Sequence, residues 1–182
     1  MQLLKKFKSA ILYFKLKTEI QRQKRVSKPK NIEDCKSILI LFDADDSFNL
    51  KQILKRAQSF RENGKKVLLC GSTDKSVLNE MPFTPLTKKD VNWYGKPANN
   101  TSIAQLLDKE WDCILSLYVS QNPTLDYITA KSQASTKAGF YHQNTAFMDI
   151  MVDVCNQGFQ KSLDDLLIIL KTIKSRSYEP AV

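Results

Sequence analysis

The chain has 182 residues, 42% of them hydrophobic and 26% charged, enough to bury the core of one domain, and no apolar run reaches the length that spans a bilayer. Gly and Pro are sparse, at five and six residues, which argues against repetitive or low-complexity architecture. The net charge of +9 lies wholly within residues 1–30, where ten Lys and Arg accompany the single acid Glu19; the rest of the chain is neutral, which excludes a basic face spread over the fold.

The first segment, residues 2–25, places Leu3, Leu4, Phe7, Ile11 and Phe14 at helical spacings, with Lys5, Lys6, Lys8 and Lys15 around the rest of the wheel. This predicts an amphipathic helix. Its longest apolar run, residues 10–14, is too short for a signal peptide, so export is not expected. Residues 26–31, with Pro29, read as a linker. The expected division is residues 1–30 as helix and linker, and 31–182 as a single α/β domain.

Residues 37–42 are a continuous apolar run of strand length, followed by the acidic loop Asp43-Ala44-Asp45-Asp46-Ser47. Leu50, Ile53, Leu54, Ala57 and Phe60 mark a helix that Gly64 should stop, and residues 66–70 form a second strand. That order is a βαβ unit. Residues 72–90, with Pro82 and Pro85, read as a loop with one helical turn, and residues 91–94 as a short strand that packs Trp93 into the core. Thr101 or Ser102 should cap a helix running to Lys109, and residues 112–118 form the next strand. Asn122 caps a helix with Pro123 at its first position and Leu125, Ile128 and Ala134 on its apolar face. Residues 138–141 and 147–154 complete six strands, and residues 159–174 form the last helix. Strands alternating with helices imply a three-layer, Rossmann-like α/β sandwich with a mostly parallel sheet.

Candidate chemistry is thin. Cys35, Cys70, Cys113 and Cys155 lack C-x-x-C spacing and read as reduced thiols in or near the core, which favours a reducing, cytoplasmic setting. No Gly-rich dinucleotide loop follows the first strand, and acids there would repel a pyrophosphate. His142 is the sole histidine and reads as a loop or strand-end residue. The loop Asp43-Ala44-Asp45-Asp46-Ser47 resembles the first motif of haloacid-dehalogenase-like phosphotransferases, with Asp46 in place of the usual Gly. That resemblance implies Asp43 as nucleophile, Asp45 as general acid/base and Mg²⁺ as cofactor.

Over nearly its full length the chain resembles a family of small Rossmann-like α/β proteins, mainly from Bacteroidota, that is a domain of unknown function. The residues carrying this are the basic N-terminal segment, Lys36 through Asp43, Gly64 through Val67, Val91 through Pro97, Trp111 through Leu115, and Ala130 through Ala134 running into Ala138 and Gly139. The resemblance implies the fold and a bacterial cytosolic setting. The functional expectation is a non-enzymatic cytoplasmic adaptor, possessing no cofactor or metal. Lys5, Lys6, Lys8, Lys15, Lys17, Arg22, Lys24 and Arg25 would tether it to a polyanion, either an anionic membrane surface or RNA and the ribosome. The competing reading of the helix is that its apolar stripe docks on the domain. The competing function is a Mg²⁺-dependent phosphatase built on Asp43 and Asp45.

Overall fold

A computed structural model describes residues 2–22, 27–74, 81–98, 102–142, 146–154 and 158–174, and within the first helix the side chains of residues 7–18. The elements in chain order are α1 (Gln2–Arg22), β1 (Ser37–Asp43), α2 (Ser47–Glu62), β2 (Lys66–Ser72), β3 (Thr84–Leu86), a 3₁₀ turn (Lys88–Asp90), α3 (Ser102–Leu107), β4 (Glu110–Leu117), α4 (Pro123–Lys131), β5 (Gln133–Phe140), β6 (Ile150–Val152) and α5 (Gly158–Thr172). The six strands form one parallel sheet in the order β3-β2-β1-β4-β5-β6. This is the doubly wound, Rossmann-like arrangement, whose strand order reverses between β1 and β4.

Both faces of the sheet are covered, so the central strands are apolar on both sides. Ile38, Ile40, Phe42, Leu115 and Phe140 meet α2 and α5 through Ile53, Phe60, Leu163 and Leu166. Leu39, Leu41, Ile114 and Tyr118 meet α3 and α4 through Ile103, Leu106, Leu125 and Ile128. Trp111 is buried in this second layer and donates its indole N–H to the Leu106 carbonyl. Gly64 follows the Asn63 C-cap with φ +75°, the left-handed stop that α2 requires. Asn122 caps α4 by accepting from the N–H groups of Thr124 and Leu125.

Several boundaries differ from the sequence reading. The third strand is residues 84–86 and not 91–94. Pro85 is admissible there because β3 is an edge strand, where a missing N–H costs no ladder bond. Residues 91–97 form a tight turn closed by a Val91–Pro97 bridge, which leaves Trp93 63% exposed. Ala134 belongs to β5, since α4 ends at Lys131. Strand β5 is longer than expected because its polar residues have structural partners. Thr136 accepts from the Lys30 N–H, and buried Lys137 donates to the Ala130 carbonyl at the α4 C-terminus. Cys35, Cys70 and Cys113 are free and buried; burial pushes the Cys70 thiol up to about 12. Cys155 lies outside the described residues.

Residues 27–31 are bound to the fold along its amino-terminal edge. Lys28 N–H donates to the Ser135 carbonyl, and Asn31 donates to the Lys171 carbonyl. Asp112, at the start of β4, accepts from Lys30 Nζ at 2.7 Å and from the N–H groups of Lys36 and Ser37 at 2.8 and 3.0 Å. Partial burial pushes this carboxyl up, but Lys30 and the two N–H groups outweigh that and hold it at about 2. A depressed carboxylate stabilises the fold above the ordinary Asp range, and that stability is lost as pH falls from about 4 towards 2. Asp112→Asn is expected to cost about 1–2 kcal/mol at neutral pH. The gap to wild type should close in acid, and urea titrations at neutral pH and near pH ~3 would read it.

Candidate interaction surface

Helix α1 lies over α4 and presents two unlike apolar sides. Leu12 and Leu16, one turn apart, are buried against Tyr127 and Ala130 of α4 and against Phe147. This explains why Leu125 through Ala130 are all buried in α4: one side faces the sheet and the other faces α1. Phe7 and Phe14 are two turns apart on nearly the opposite side, and stand 61% and 75% exposed. Ala10 is exposed and Ile11 half-buried between them. On the helical wheel Lys8 and Lys15 border this outward stripe on one side and Lys17 on the other; Lys15 and Lys17 are exposed.

Of the expected stripe of Leu3, Leu4, Phe7, Ile11 and Phe14, the two phenylalanines are therefore outward and Ile11 is half-buried. The helix docks through Leu12 and Leu16, and keeps Phe7 and Phe14 outward. The side chains of Leu3, Leu4, Lys5, Lys6 and Arg22, and the whole of Lys24 and Arg25, lie outside the described residues.

A polar contact fixes the docked helix. The Tyr13 hydroxyl donates to Asp126, a fully buried carboxylate in the first turn of α4. Asp126 also accepts from the Tyr118 hydroxyl at 2.8 Å and lies 3.3 Å from His142 Nε2. Burial pushes the Asp126 carboxyl up, against the pull of Tyr13, His142 and Tyr118. Burial, and then the Asp126 charge, push both phenols up as well. His142 follows β5, as expected of a strand-end residue, but it is a buried member of this network. Sequence reasoning missed the cluster because its members come from α1, α4 and the segments that follow β4 and β5, with no spacing to join them.

The turn at residues 91–97 is wedged beside α1. The Asn92 side chain accepts from the N–H groups of Tyr94 and Lys96. Gly95 has φ +97°, and a Cβ there would meet Thr124 Oγ1 at 3.2 Å and Leu12 at 3.4 Å. Thr124 Oγ1 donates to the Gly95 carbonyl, and Lys15 Nζ stands 4.4 Å from the centre of the Tyr94 ring.

The acidic loop after β1 sits at the carboxyl edge of the sheet, the usual ligand position of this fold. Its carboxylates hold the loop together. Asp43 accepts from the Asp45 N–H, Asp45 accepts from Thr73 Oγ1 and from the Asp74 N–H, and Asp46 caps α2. Asn122 donates to Ser72, linking the β4 and β2 ends across the switch point. Among the described residues no group of three His, Cys, Asp or Glu side chains is arranged to hold a metal ion. Nothing in this arrangement favours Mg²⁺-dependent phosphoryl transfer from Asp43 and Asp45. A cleft of about 690 Å³ between α2 and α5 is lined by Arg56, Phe60, Lys65, Leu167, Ile168 and Lys171. Arg56 pairs with Asp164 at 2.6 Å and Lys171 with Glu33 at 3.2 Å, and Lys65 Nζ donates to the Glu33 and Cys35 carbonyls.

Among the described residues, no helix is long and apolar enough to cross a membrane. No curated protein and no solved structure matches the chain. The sequence model of a family of unknown function (DUF6913) matches residues 8–173, spanning both α1 and the sheet, and the chain belongs to that family.

Proposed function

We propose that this protein is a non-enzymatic bacterial adaptor that attaches, from the cytosol, to an anionic membrane surface through the outward side of α1. The observation that carries this reading is the exposure of Phe7 and Phe14 on a helix whose opposite side is fixed in the core. Lysines flank the two rings, and residues 1–30 hold the whole charge excess of the chain. An interfacial helix inserts such rings at the acyl boundary and keeps its cations among headgroups. Burying a Phe side chain contributes about 1.5–3 kcal/mol, and each Lys near an anionic surface about 1 kcal/mol. An RNA-binding helix gains chiefly from its cations and has less use for two outward phenylalanines.

The test is co-sedimentation of the full chain with vesicles of phosphatidylcholine containing phosphatidylglycerol, across a salt series. Wild type is expected to bind and to keep part of that binding at high salt, because ring insertion is not screened. Phe7→Ser/Phe14→Ser should weaken binding roughly tenfold or more, with thermal unfolding unchanged. Equal partitioning of the double variant would refute the reading. So would binding to RNA alone, lost steeply with salt and indifferent to both rings.

A further inference from the structure

We infer that the turn at residues 91–97 is a second contact with the same lipid surface, with Trp93 seated at the headgroup boundary. This rests on the reading of α1 as the membrane-facing helix. Trp93 is 63% exposed, the largest side chain on the surface of the described residues. The other tryptophan, Trp111, is buried with its indole N–H bonded. Trp93 packs edge-on against Tyr94, with centroids 5.2 Å apart, and Tyr94 carries Lys15 over its ring. Lys15 borders the outward stripe of α1, so Tyr94 joins the exposed indole to that border.

The turn presents the indole firmly. The Val91–Pro97 bridge, the Asn92 bonds, the positive φ of Gly95 and the Thr124 bond fix its backbone between α1 and α4. Little ordering entropy remains to oppose binding. A large ring with one polar N–H suits a boundary that is apolar on one side and wet on the other. The surrounding charge fits anionic headgroups, with Lys89 exposed before the turn and Lys15 exposed beside it; Lys96 is half-buried, its Nζ 5.8 Å from the centre of the Tyr127 ring. Phe7, Phe14 and Trp93 then act as three separated anchors on two elements, which sets the tilt of the domain on the surface as one helix alone would not.

The experiment uses the full chain and the same phosphatidylglycerol-containing vesicles, read by sedimentation and by tryptophan emission with brominated lipids as quencher. Wild-type emission is expected to shift to shorter wavelength and to be quenched. In Trp93→Ala the remaining Trp111 emission should ignore the vesicles, and binding should weaken roughly tenfold. Trp93→Phe should recover most of that loss. Sedimentation without any change or quenching of emission would overturn the Trp93 contact and leave the α1 reading standing. No sedimentation at all would overturn both. An emission shift that follows protein concentration without vesicles would assign the patch to a second copy of the chain, and overturn the proposal.

Discussion

Asp126→Ala is expected to destabilise the protein by about 3 kcal/mol or more, and to loosen α1 from the domain. The carboxylate is fully buried and serves the Tyr13 and Tyr118 hydroxyls, with His142 Nε2 at 3.3 Å. Alanine leaves these polar groups without their shared acceptor, and each buried group so stranded costs about 1–3 kcal/mol. Asp126→Asn keeps one carbonyl acceptor, and tyrosine hydroxyls can turn to accept from its amide, so a smaller loss is expected. The pH dependence separates charge from shape. Burial raises this carboxyl, so the fold binds its proton more tightly than the unfolded chain does. Its contribution is therefore complete in acid, below the ordinary Asp range, and is lost as pH rises through the raised value. The wild-type advantage over Asp126→Asn should be largest in acid and shrink towards neutral pH, the reverse of Asp112→Asn. Urea unfolding of all three proteins across pH would show it, and a wild-type advantage that grows with pH would contradict the burial argument.

The layers of the fold were legible because the covered strands are short apolar runs that cannot sit elsewhere. Residues 37–42 and 112–118 read directly as buried strands, close to the Ser37–Asp43 and Glu110–Leu117 of the fold, and Gly64 and Asn122 marked helix ends through backbone chemistry. What failed was polar or edge structure. Strand β5 carries Ser135, Thr136 and Lys137, whose partners lie on the N-terminal segment, α4 and the loop before β6. Strand β3 contains a proline that only an edge position allows. No local pattern announces either.

The interaction surface was half legible. Charge segregation pointed to residues 1–30, and the stripe containing Phe7, Ile11 and Phe14 was found. The same helix, however, carries a second apolar side at Leu12 and Leu16, and periodicity cannot say which one a domain will cover. The deciding signal lay in α4. Leu125, Tyr127, Ile128 and Ala130 surround that helix with apolar groups, and a helix apolar all round needs a cover on its second side.

The two sides of α1 should separate in a single set of variants. Leu12→Ala and Leu16→Ala each remove a buried side chain from the α1–α4 seam, at an expected cost of about 2–4 kcal/mol apiece. The pair touch the same partners, so their sum should fall short of additivity. Phe7→Ser and Phe14→Ser remove exposed rings and should leave unfolding within about 0.5 kcal/mol of wild type, while each weakens vesicle binding. Deleting residues 1–30 combines both effects. It uncovers Tyr127 and Ala130 and strips Asp126 of Tyr13 and Asp112 of Lys30. A truncated chain that fails to bind therefore cannot distinguish a missing tether from a damaged domain, whereas the paired variants can. Urea unfolding and vesicle sedimentation on the same four proteins give the readout. If Phe14→Ser destabilised as much as Leu12→Ala, α1 would be seated with its phenylalanines inward, and the proposed surface would not exist.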